Sequence, residues 1–165
     1  METKKIAQSG LLLALAMILS FIESLFPAFI AVPGVKIGLA NIVTVYALYK
    51  TGFREAALIS VLRVFMASFL FGSVLSLAYS AGGAIISLTG MALLKKTNLF
   101  GTAAISVAGG VLHNLGQIAV ACFILDTAAI AYYIPVLIIS GTAAGIVIGI
   151  AAAALMTWET KHAFH

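Results

Sequence analysis

Three strongly polar side chains fall within five positions of the block Gly109-Gly110-Val111-Leu112-His113-Asn114-Leu115-Gly116-Gln117, near the middle of an apolar stretch of membrane length. On a helix turning about 100° per residue, His113 and Gln117 stand one turn apart on one face, with Gly109 and Gly116 beside them and Asn114 on the flank. Polar groups in hydrocarbon are costly unless they face protein, water or a ligand. The block therefore either ties its helix to neighbouring helices or, with the glycines leaving room, lines a ligand cavity. A metal site has less to support it. No second histidine, cysteine or carboxylate stands at ligand spacing, and His162 and His165 belong to a polar tail.

Arg63 is the basic residue that falls inside an apolar segment. A guanidinium cannot readily lose its charge, so it needs an anion, carbonyl groups or water around it. It either bonds carbonyls and ties helices together or anchors an anionic ligand. Glu23 is the acidic residue placed to be partly buried, although the two positions sit toward opposite faces of the membrane. A third candidate is Val32-Pro33-Gly34-Val35-Lys36-Ile37-Gly38-Leu39-Ala40-Asn41, which sets a cation and an amide at a helix start, where the helix dipole adds partial positive charge. The same Pro33 and Gly34 suit a structural lid anchor, so lid and direct ligand contact both stay open. Lys36 would form the electrostatic mouth of the site.

Absences narrow the chemistry. No GxxxxGK[ST] phosphate loop occurs, so ATP hydrolysis by that route needs partner subunits. The five acidic residues, Glu2, Glu23, Glu55, Asp126 and Glu159, never lie within four positions of one another. They form no cluster to hold the magnesium ions of prenyl-diphosphate synthesis. Cys122 is solitary and sits in an apolar segment, which excludes a disulfide framework and a CxxC pair. No cofactor is expected. The net charge of +4 does not point to nucleic acid, because the nine basic residues punctuate apolar segments instead of clustering with aromatics.

The elements that must position these residues follow from composition. Of 165 residues, 63% are apolar and 8% charged, with a mean hydropathy of +1.19, whereas a soluble domain carries about 25% charged residues. The chain reads as an all-α integral membrane protein with about six spans in a single domain, since its apolar runs approach the roughly 20 residues of a spanning helix. The spans are expected at about 6–26, 37–49, 56–74, 79–94, 102–125 and 132–157. The start, Lys4 and Lys5 before Ile6 to Ile22, has a longer apolar run than a secretion signal and is taken as a retained helix. Between the first two spans, Phe26 to Val35 is greasy for a solvent loop, as expected of a lid or an interfacial segment carrying Phe29, Pro33 and Gly34. The serine- and glycine-rich stretch from Gly72 to Ser80 divides the third and fourth spans.

Alternating six spans gathers Lys4, Lys5, Lys50, Arg54, Lys95, Lys96 and Lys161 on one side, which the positive-inside rule makes cytoplasmic along with both termini. The greasy loop then faces outward. Gly141, Gly145 and Gly149, continued by Ala153, draw a smooth strip suited to close helix contact, and Gly10 and Ala14 draw a weaker one. Either strip suits packing within the chain or against another subunit.

Glu23 with Pro27, the VPGVKIGLAN block, Leu62-Arg63-Val64 with Phe71-Gly72-Ser73, Tyr79-Ser80-Ala81-Gly82-Gly83 and Gly110 to Gln117 occur in that order over nearly the whole chain. In this the chain resembles the bacterial Gx transporter family, often labelled heptaprenyl diphosphate synthase component I. That family is similar to the substrate-binding S components of energy-coupling-factor (ECF) transporters. The resemblance implies six helices, a pocket opening outward beneath the first loop, and a docking strip on the first helix that includes Gly10 and Ala14. The usual alanine pair has glycine as its first member here. It further implies a coupling transmembrane subunit and ATPase subunits as partners, and a bacterial cytoplasmic membrane location.

Two functions compete at this level. The first is a non-enzymatic substrate-capture subunit for uptake of a small anionic or amphipathic nutrient or cofactor precursor. Lys36 and Arg63 would supply charge, Asn41, His113, Asn114 and Gln117 orientation, and the Phe29 loop a lid. The second is a non-catalytic membrane accessory subunit of heptaprenyl diphosphate or quinone-precursor synthesis. A purely structural membrane protein is a third possibility.

Overall fold

The computed structural model describes residues 2–25 and 38–162. It is all-α: α1 Glu2–Leu25, α2 Asn41–Lys50, α3 Phe53–Phe71, α4 Val74–Lys96, α5 Thr102–Ile124, a short 3-10 helix Ala128–Tyr133, and α6 Ile134–His162. Around the bundle, α4 packs on α5, α5 on α6, α6 on α2, and α2 on α3, which returns to α4; α1 lies against α2 and α3.

Among the described residues, four helices are long and apolar enough to cross a membrane: α1, α4, α5, and α6 with its preceding 3-10 turn. The expected count of about six spans is not reached among these residues, for two physical reasons. Helix α2 has ten residues, a rise of about 15 Å against a hydrocarbon core of about 30 Å. Helix α3 has 19 residues but carries Arg54, Glu55 and Arg63 within them.

Helix α2 is enclosed by its neighbours. Val43 through Leu48 are buried without a break, so this helix presents apolar or small surface all round and forms the centre of the bundle. Its start is set by Gly38, whose φ of +78° suits glycine. Its end passes into α3 through Gly52 at φ +107°.

The outer surfaces explain the composition. Phe65, Phe69, Leu70, Val74, Ile85, Leu99 and Phe123 are all exposed, as expected of side chains that meet lipid. Lipid tails are as apolar as these side chains, so helix association depends on close packing. Glycines provide it. An added Cβ at Gly145 would stand 2.5 Å from Val107 Cα, and one at Gly149 2.7 Å from Ala103 Cα. The Gly141/Gly145/Gly149 strip is thus occupied by α5 of the same chain. Gly116 approaches α4 equally closely, where a Cβ would meet the Gly82 carbonyl oxygen at 2.8 Å.

Two lysines in the last turns of α2 and α4 meet polar partners at one end. Lys50 pairs with Glu159 at 2.8 Å, the Tyr46 hydroxyl donates to the same carboxylate at 3.0 Å, and Lys95 donates to the Leu48 carbonyl oxygen at 2.6 Å. These contacts join the C-terminal ends of α2, α4 and α6.

Candidate functional site

In the half of the bundle away from that lysine-bearing end, a cavity of about 50 Å³ is lined by Glu23, Asn41, Arg63, Ser80, His113 and Asn114 among its polar or charged residues. Each α-helix contributes to the wall. Glu23 comes from the last turn of α1, Asn41 from the first residue of α2, Arg63 from the middle of α3 and Ser80 from the start of α4. His113 and Asn114 come from the middle of α5, and α6 supplies Gly141, Ala144 and Ile148. Four of the polar residues singled out on sequence, Asn41, Arg63, His113 and Asn114, therefore meet in one place.

Arg63 dominates the electrostatics. Its Nε is buried and has no hydrogen-bond partner among the described residues, and the Glu23 carboxylate lies within electrostatic reach of it. Helix α3 turns this residue inward while Leu62, Phe65 and Met66 beside it stay exposed. A permanent cation is thus held against a small polar cavity in otherwise apolar surroundings, where an anion would interact with it far more strongly than in water.

The amides divide their work. Asn114 Nδ2 donates to the Leu137 carbonyl oxygen at 2.8 Å and to Ser140 Oγ at 3.3 Å, which fixes α5 against α6. Gln117 is buried but does not line the cavity. Its Cγ packs at the α4–α5 contact, 2.9 Å from where a Gly83 Cβ would stand. His113 reaches both regions, lining the cavity while its ring edge lies against the same glycine. The shared face of His113 and Gln117 is real, but one turn along α5 that face meets α4 instead of the cavity.

At the helix start, several N–H groups already have acceptors. The N–H groups of Asn41, Ile42 and Val43 already donate to the carbonyl oxygens of Gly38, Leu39 and Ala40, and Gly38 N–H donates to Glu23 Oε1. Those four N–H groups are therefore already engaged within the described residues and are not open to an anion.

Lys36, Phe29, Pro33 and Gly34 lie outside the described residues. Gly10 and Ala14 are exposed on the side of α1 opposite Leu12 and Ala16, which face the bundle; a Cβ at Gly10 would meet open space. Two wall residues carried weaker signals in the sequence. Ser80 looked like part of a turn, although the adjoining Gly82-Gly83 pair marks a helix contact. Glu23 was placed toward the opposite membrane face from Arg63, and both line this wall.

A family model described as heptaprenyl diphosphate synthase component I matches residues 12–155. No curated protein and no solved structure matches the chain. With most of its length matched, from the middle of α1 to the later turns of α6, the chain belongs to the heptaprenyl diphosphate synthase component I family.

Proposed function

We propose that this chain is a non-catalytic membrane subunit that holds the anionic head of an amphipathic ligand between its helices, serving prenyl-diphosphate assembly as an accessory component. The observation that carries this reading is Arg63, a cation whose buried Nε has no partner among the described residues, beside Asn41, Ser80 and His113. A phosphate-type or carboxylate head satisfies a guanidinium through charge-assisted hydrogen bonds. Cavity size supports a head-group site. About 50 Å³ is far below the roughly 300–1,000 Å³ of pockets that enclose a whole small molecule. An apolar tail would lie along the lipid-facing helices. The scattered acidic residues offer no magnesium cluster, so condensation chemistry is assigned to a partner synthase.

A second reading is uptake, with this chain as the capture subunit of an ECF-type transporter. The exposed Gly10–Ala14 face of α1 favours it, as does the position of the cavity away from the lysine-bearing end. By the positive-inside rule that end is cytoplasmic, with both termini, in a bacterial cytoplasmic membrane. Affinity purification from native membranes separates the two readings. Recovery of a soluble prenyl synthase supports the accessory role; recovery of a coupling subunit with ATPases, together with ligand uptake, replaces it with transport.

A further inference from the structure

Glu23 is the acidic side chain on the described cavity wall. It makes two relationships at once. Its carboxylate accepts the Gly38 N–H, joining the end of α1 to the turn that opens α2, and it acts electrostatically on Arg63 of α3. The other walls are more firmly fixed. Ser87 Oγ donates to the Gly109 carbonyl oxygen at 2.8 Å between α4 and α5, Asn114 bonds α6, and backbone lies against backbone at Gly116 and Gly141.

A cavity of about 50 Å³ gives little room for an incoming anion beside a carboxylate that lines the same wall as the guanidinium. Two anions in one low-dielectric site repel strongly, and a single Arg63 cannot neutralise both. We infer that Glu23 is the resident counter-ion of Arg63, and that an anionic ligand binds by displacing it, loosening the Gly38 tie between α1 and α2 in the same step. This rests on the reading above that Arg63 receives an anion. Under it, Glu23 sets the affinity of the site from the opposite direction to Arg63, and ligand charge is transmitted to the junction of α1 with the centre of the bundle.

The test is calorimetric titration of the purified full chain in lipid nanodiscs with inorganic pyrophosphate. Glu23→Gln removes the charge and keeps an acceptor for Gly38 N–H. It should bind about tenfold tighter than the unaltered protein, and Arg63→Gln at least about tenfold more weakly. Glu23→Ala also removes the charge and carries the same prediction should Glu23→Gln not stay folded. Equal or weaker binding by the Glu23 variants, with binding still dependent on Arg63, overturns the counter-ion role and leaves the anion site standing. If Arg63→Gln binds like the unaltered protein, or if no form binds pyrophosphate, both readings fail together.

Discussion

Asn114 and Leu137 are joined across the α5–α6 contact by an amide-to-carbonyl hydrogen bond of 2.8 Å, directly beside the wall that Asn114 gives to the cavity. One side chain thus holds the scaffold and borders the site. Asn114→Leu should lower stability by about 1 kcal/mol, the usual net worth of such a bond between membrane helices. Equilibrium unfolding in mixed detergent micelles measures this. A change well below half that value would show that α5 and α6 are held by glycine packing without help from the amide.

The glycine strip on α6 should be intolerant of even one methyl group. Gly145→Ala places a Cβ against the Val107 backbone, and neither chain can yield by a rotamer change. A loss of about 1–3 kcal/mol is expected. Gly10→Ala, facing open space on α1, should change stability by no more than about 0.5 kcal/mol. The same unfolding assay on both variants checks the contrast. If Gly10 serves as a docking position, its substitution will reduce partner recovery without altering the isolated protein.

At the lysine-bearing end, Lys50 and Glu159 pair at 2.8 Å with both side chains about one-third or more exposed, at 32% and 41%. Exposed pairs contribute little, because water and salt screen them. Glu159→Gln should therefore cost less than about 1 kcal/mol, and less still at high salt. Thermal unfolding at low and high ionic strength tests this. A large, salt-insensitive loss would mean that Tyr46, which shares the carboxylate, carries more of the junction than the lysine does.

How much was legible in the sequence depends on the kind of signal. Polar residues set in apolar runs stand out, so Asn41, Arg63, His113 and Asn114 were identifiable one by one, and all four line the cavity. Which face of α5 meets which neighbour was not legible, because spacing fixes angle but not partner; Gln117 shares a face with His113 and still ends against Gly83. The helix break near residue 72 shows a weaker local signal. The Gly72–Ser80 stretch suggested a fourth segment from Tyr79, yet Ser73 caps α4 by accepting the Ser76 N–H at 3.1 Å, and the helix starts at Val74. Whether α2 is a span was not legible, because an apolar run of that length looks alike whether lipid or other helices surround it. Its unbroken burial shows that other helices surround Val43 to Leu48.

His113→Ala should weaken ligand binding by about tenfold or less while leaving the helical fold in place. Neutral hydrogen bonds contribute less than the charge-assisted bonds expected of Arg63. Binding titrations with circular dichroism on the same samples compare the two residues. If His113→Ala instead unfolds the protein, its role is at the α4 contact near Gly83 and not in the cavity.

Whether Arg63 holds an anionic group within the bundle is read out by native mass spectrometry of gently extracted protein, with chemical identification of what co-purifies. An amphipathic molecule bearing a phosphate or carboxylate is expected on the unaltered protein, and is expected to be absent from Arg63→Gln at unchanged fold. A neutral or cationic ligand, or one retained at equal occupancy by Arg63→Gln, would contradict that role for Arg63.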